Sequence, residues 1–302
     1  VRAAERGVRV RILLDDINPR GSDAAYLALN AHPNIELKLF NPSGMRNGSL
    51  LRAAELVFRL FAMTRRMHNK AWIADDTLAI VGGRNIGDAY FDAAETNFRD
   101  LDLLLVGPAV EQTARIFESF WQSSAAWSID ALHSKKRPAT KAGFVTRIDS
   151  TADAQLLHGI GDLHAIARCI ATGDGFHWTD TARVISDPPE KVRGEKTRSW
   201  LMRELLPLIQ TARKELEIAS PYFIPGRKGT AILSGLVARG TEVTALTNSL
   251  AATDVATVHG AYANYRKRLL RAGIRLFELQ PFSHQAKISV FGSKGASLHT
   301  KA

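Results

Sequence analysis

The chain repeats one arrangement of helix stop, strand, helix and strand, and that repeat limits its fold more than any other feature. Glu5-Arg6-Gly7 precedes an alternating apolar run, Val8 to Leu14, as Ala238-Arg239-Gly240 precedes Glu242 to Leu246. A glycine at the end of a helical pattern is a stop signal, and apolar/polar alternation marks a half-buried strand. The first copy continues through a predicted helix, Asp23 to His32, into a strand, Ile35 to Phe40, closed by Asn41-Pro42. The second continues through a longer helix, Ala256 to Ala272, into Ile274 to Leu279, closed by Pro281. Gly7 to His68 spans 61 residues and Gly240 to His299 spans 59, so the correspondence holds to the end of each unit. Duplication predicts an α/β fold of two similar lobes related by a pseudo-twofold axis, each a mixed β-sheet flanked by helices. The polar, basic stretch 133–143, with Pro138, reads as a linker, which puts the first lobe at 1–135 and the second at 136–302.

Each copy ends in a histidine with a lysine two residues on. Residues 68–85 read HNKAWIADDTLAIVGGRN, which contains HxKxxxxD at His68, Lys70 and Asp75, followed by GGRN from Gly82 to Asn85. On a strand, residues i and i+2 share a face, so His68 and Lys70 are expected to point together. A hairpin turning near Asp76 and Thr77 is expected to carry Asn85 back toward them. Chance produces HxKxxxxD about 0.02 times in such a chain but a bare HxK about 0.4 times. His133 and Lys135 are one such decoy, lying in the polar linker. His299 and Lys301 differ because Leu298-His299-Thr300-Lys301-Ala302 occupies the repeat position of Met67-His68-Asn69-Lys70-Ala71. The carboxylate completing that second motif is expected past Ala302, with the chain cut at both ends.

These residue types suit phosphodiester chemistry. A neutral imidazole can attack phosphorus and a charged one can donate a proton, and an ordinary pKa of about 6.5 makes both forms accessible. Lysine supplies positive charge for non-bridging oxygens, and an amide adds an oriented donor. A carboxylate behind the imidazole fixes its tautomer.

The duplicated HxK unit with GGRN resembles the phospholipase D superfamily. Arg66-Met67-His68-Asn69-Lys70, Gly82 to Gly87 and Ser220-Pro221-Tyr222-Phe223-Ile224-Pro225-Gly226 are similar to bacterial cardiolipin synthases, nearest the type C branch. The resemblance implies two motif copies forming one site, with no metal or other cofactor. It implies a phosphatidyl transferase with His68 as nucleophile, through a phosphohistidine, and His299 as the acid. Lys70 and Lys301 would hold phosphate, Asn85 would donate to it, and Asp75 would orient His68. Arg66, Gly83 and Tyr222 are expected to contact substrate. The implied partners are anionic or zwitterionic phospholipids at a membrane surface, with phosphatidylglycerol as acceptor or donor and no obligatory protein partner. The implied location is peripheral, at the bacterial inner membrane.

Composition narrows the alternatives without choosing among them. A net charge of +10 and a pI near 9.9 favour an anionic partner, lipid or nucleic acid. The same site acting on water would make a phospholipase or nuclease, and a decayed one a basic binding module. The single Cys169 excludes an internal disulfide and reads as a buried thiol. Trp72 reads as core or pocket wall, and Asp15-Asp16 as a cap or loop lining rather than an acid/base pair. Ser49 to Arg66 reads as an amphipathic core helix, with an interfacial helix as the alternative.

Overall fold

The computed structural model describes residues 1–16, 23–42, 66–91, 97–132, 163–194, 200–253, 255–281, 288–289, 292–293 and 298–301. The linker 133–143, the decoy pair His133 and Lys135, and the expected helix up to residue 65 lie outside them. The first part of the chain forms α1 (Arg2–Glu5), β1 (Val10–Asp15), α2 (Asp23–Asn30) and β2 (Ile35–Phe40). A hairpin and a third strand follow as β3 (Ala71–Ala74), β4 (Leu78–Gly82) and β5 (Asp102–Val106). Next come α3 (Pro108–Trp121), β6 (Ala126–Ser128), α4 (Ile129–Leu132), α5 (Leu163–Thr172) and α6 (Leu201–Gln210). The second copy comprises β7 (Glu215–Ala219), α7 (Gly226–Ala238), β8 (Glu242–Asn248), α8 (Ala256–Arg271) and β9 (Arg275–Leu279). Two short strands, Ile288–Ser289 and Gly292–Ser293, pair antiparallel.

The chain divides into two compact units, residues 1–68 with 111–199 and residues 69–110 with 200–302. Each draws on both halves of the sequence, so compactness does not follow the linear boundary at 135. In the first unit, β1 pairs parallel with β2 and β2 antiparallel with β6, a mixed sheet. Its core forms because β2 alternates: Ile35, Leu37 and Leu39 are buried while Glu36 and Lys38 stay half-exposed. Leu37 and Leu39 meet Leu27 of α2 and Ile129 of α4. Arg11 of β1 pairs with Glu118 of α3 at 2.6 Å, and that bond holds the Glu118 carboxyl below its ordinary pKa.

In the second unit, β3, β4 and β5 form an antiparallel sheet and β7, β8 and β9 a parallel one. Val243 and Ala245 of β8 pack against Leu233 and Leu236 of α7 and Tyr262 and Leu269 of α8.

The repeat is visible in hydrogen bonds as well as residues. Gly7 and Gly240 sit at φ +92 and +89, the left-handed region that glycine adopts without a Cβ penalty. After α1, the Gly7 and Val8 amides donate to Ala4 and Ala3; after α7, the Gly240 and Thr241 amides donate to Val237 and Leu236. Both are the same two-bond C-cap, which satisfies carbonyls the helix end leaves open. The strand registers also correspond: Asp15 faces Phe40, and Asn248 faces Leu279.

Three expectations need correction. Trp72 is 66% exposed rather than core, because β3 is an edge strand and its cross-strand neighbours Ile80 and Leu104 share an open face. Cys169 is exposed on α5. His68 and Lys70 precede the strand, which begins at Ala71; pairing extends only to a 3.4 Å bond from the Gly82 amide to the Lys70 carbonyl. The next amide past β4 that would face this side, that of Arg84, goes to the Asp102 carboxylate instead.

Candidate active site

Among the candidate site residues described in the second unit, His299 is held by several named contacts. Leu298 makes an isolated parallel bridge with Arg99, and the amides of His299 and Thr300 both donate to the Arg99 carbonyl, at 2.8 and 3.2 Å. That brings the ring beside Asp100, whose Oδ2 accepts from Nδ1 at 2.7 Å. Both side chains are buried, 4% and 0% exposed. Tyr90 meets the ring edge-on, centroids 5.1 Å apart, and Phe98 lies 5.6 Å away, so aromatic walls complete the enclosure.

Burial lowers the proton affinity of His299 below the ordinary 6.5, opposed by its bond to Asp100 and reinforced by the charges of Lys301 and Lys70. Desolvation disfavours the charged ring, while the carboxylate favours it. Thus the lysines of both HxK motifs act electrostatically on one histidine. Since a carboxylate accepts, the Nδ1 position carries the proton, leaving Nε2 as the atom suited to exchange protons with a reactant. Lys301 donates to the His299 carbonyl at 3.0 Å and stands 5.8 Å from the Tyr222 ring centre.

The GGRN segment builds the surroundings of this histidine. A Cβ on Gly83 would lie 2.3 Å from Asp100 Oδ1, and one on Gly82 would lie 2.0 Å from Asp102 Oδ1. Only glycine permits both approaches. Arg84 pairs with Asp102 at 2.6 Å and also donates to the Tyr90 carbonyl. Asn85 donates to the Tyr90 hydroxyl at 2.7 Å. Glycine makes room for the carboxylate, and Arg84 and Asn85 hold the aromatic wall.

Of the residues expected from sequence, Lys70, Asn85, Gly83, Tyr222, His299 and Lys301 belong to this unit, and Gly83 meets the Asp100 carboxylate. Asp75 lies exposed in the hairpin turn at the far end of β3 from Lys70. It and Asp76 adopt φ +50 and +49, and the Thr77 amide donates to Ala74, a primed turn in which Asp is favoured. The other two belong to the first unit. His68 is exposed. Arg66 is 8% exposed and grips Asp15 with two bonds, Nε to Oδ2 at 3.0 Å and Nη2 to Oδ1 at 2.5 Å. Among the described residues, no group of three or more His, Cys, Asp or Glu side chains could hold a metal ion.

Asp100, Tyr90 and Phe98 escaped the sequence reading. The available signal was Asp100-Leu101-Asp102, two acids opening the apolar run Leu103 to Val106, where a purely apolar strand needs neither.

A family model described as cardiolipin synthase, PLD-like domain, matches residues 1–121 and 205–302, and the chain belongs to that family. It is 39% identical over 315 residues to cardiolipin synthase C of Escherichia coli K12, covering 99% of this chain and 64% of that protein. An uncharacterized protein of Helicobacter pylori 26695 is 34% identical, with 99% and 60% covered. A cardiolipin synthase of Alkalihalophilus pseudofirmus OF4 is 24% identical, with 98% and 49% covered. The chain therefore spans between about half and two thirds of the length of these relatives. The solved phosphatidylserine synthase of Haemophilus influenzae Rd KW20 aligns with a TM-score of 0.47 at 16% identity, over 88% of this chain and 64% of that one.

Proposed function

We propose that this chain carries part of a phosphatidyl transferase of the cardiolipin synthase type. The observation that carries the reading is His299, its tautomer held by Asp100, under the influence of a lysine from each motif. In the first step, neutral His68 attacks the phosphorus of a phospholipid, forming a P–N bond and breaking the P–O bond to the headgroup alcohol. Charged His299 gives its proton to the departing alkoxide, and its lowered proton affinity makes it a willing donor. In the second step, the acceptor hydroxyl, that of phosphatidylglycerol, loses its proton to His299 and attacks the phosphohistidine, restoring His68. Lys70 and Lys301 offset charge on the non-bridging oxygens, and Tyr222 walls the substrate beside Lys301.

A membrane surface is the place such substrates are met. The net charge of +10 favours anionic headgroups, and no helix among the described residues is long and apolar enough to cross a bilayer. We place the protein peripherally at the bacterial inner membrane.

The test supplies the full-length protein with labelled phosphatidylglycerol in vesicles, and separately with duplex DNA. Diphosphatidyl product, together with a trapped phosphohistidine lost in His68→Ala, supports the proposal. Cleavage of DNA with no lipid product, or release of phosphatidic acid alone, overturns it in favour of hydrolysis.

A further inference from the structure

The last residue of β8, Asn248, is 2% exposed and contacts the backbone immediately before His299. Its Nδ2 donates to the Leu298 carbonyl at 2.9 Å, and its Oδ1 accepts from the Leu298 amide at 3.0 Å. One amide side chain thus satisfies both backbone groups of one buried residue, its separate donor and acceptor atoms each taking one bond. Asn248 is anchored in turn: it faces Leu279 in the sheet, and its own carbonyl accepts from His259 at 3.3 Å. Asp15 fills the corresponding place in the first copy, at the end of β1 opposite Phe40. It too reaches the segment before a motif histidine, through the two bonds to Arg66.

We propose that Asn248 is a positioning residue for His299, acting through the backbone of Leu298. The strand end is the fixed point, and the polar side chain carries its position across to the HxK segment. Arg99 holds the other side of the same segment, so Leu298 to Thr300 is gripped from two elements. Without Asn248, the His299 ring loses its fixed placement against Asp100 while keeping its own residues intact. The catalytic consequence rests on the proposed role of His299 as proton donor and acceptor.

The experiment compares wild-type full-length protein with Asn248→Ala and, as a control, Thr247→Val. Thr247 is the neighbouring strand residue, 3% exposed, whose hydroxyl bonds the Pro221 carbonyl rather than Leu298. Amide exchange over Leu298 to Thr300 is expected to accelerate at least about 10-fold in Asn248→Ala and to stay at the wild-type rate in the control. The value of kcat is expected to fall about 10- to 100-fold with KM little changed. The basic limb of the pH–rate profile, where the charged His299 donor is lost, is expected to move up toward the ordinary histidine range as water reaches the ring. Unchanged exchange, with a rate loss equal at every pH and matching the loss of folded protein, overturns the proposal. Asn248→Asp keeps the shape and the acceptor but not the donor, and supplies the same exchange comparison should the alanine variant not fold. If the wild-type protein shows no lipid transfer, the functional reading falls, and exchange at Leu298 alone decides whether Asn248 holds the segment.

Discussion

His299 and Asp100, 199 residues apart, share a 2.7 Å hydrogen bond at a point where neither side chain is open to solvent. The bond selects the ring tautomer and opposes the burial that strips the ring of its proton.

Asp100→Asn removes the carboxylate that favours the charged ring and permits the wrong tautomer. Transfer rate is expected to fall about 10³- to 10⁴-fold with the fold retained, the scale of loss when an analogous carboxylate is neutralised. Steady-state rates alongside circular dichroism check this, and a loss below about tenfold removes Asp100 from the mechanism.

The same histidine gives stability a pH dependence of definite sign. Its folded pKa lies below the ordinary 6.5, so between the two values the unfolded chain binds more protons than the folded one. Stability is therefore fully present above 6.5 and declines as pH falls through 6.5 toward the folded value. Chemical denaturation from about pH 7.5 to about pH 5 should show that decline, reduced in His299→Gln. An identical slope in the variant would assign the effect elsewhere.

Gly83→Ala places a methyl group 2.3 Å from Asp100 Oδ1. The overpacking is expected to cost about 1–3 kcal/mol, and displacement of the carboxylate is expected to abolish most transfer activity. In an Asp100→Ala background the cost of Gly83→Ala should shrink, because the clashing atoms are gone. A double-mutant cycle measured by denaturant melts reads that coupling, and additive costs would show that the two residues do not compete for space.

Asp15→Ala strands the Arg66 guanidinium, and loss of one partner of a buried pair costs about 3–5 kcal/mol. Asp15→Ala with Arg66→Met should recover much of that loss, since it removes the stranded charge as well. Arg66→Lys is expected to behave poorly, because an ammonium cannot reproduce the two-bond fork. Thermal melts of the set test this; equal stability of the single and double variants would contradict it.

Local signals carried most of the scaffold. The alternation of Ile35 to Phe40 located β2 to the residue, because burial on one face is all a strand pattern encodes. Gly7 and Gly240 marked helix ends because their left-handed backbone excludes a Cβ. Repeat position singled out His299 and Lys301 where the bare tripeptide carried little weight. The Asp100, Tyr90 and Phe98 surroundings were not legible, since they depend on Arg99 meeting Leu298 across the chain, and an isolated bridge leaves no periodicity in sequence. Trp72 misled for a related reason: its pattern states which face it occupies, and only tertiary packing decides whether that face is covered.

The close approach of Asp100 to Gly83 also has an evolutionary meaning. A side chain there and the Asp100 carboxylate compete for the same volume. A lineage can therefore change residue 83 only by giving up or relocating the acid, and mutations at the two sites should be inherited together or purged together. The expectation for related chains is concrete: where the second of the paired glycines stands, an aspartate should follow 17 residues downstream, as Asp100 follows Gly83 here.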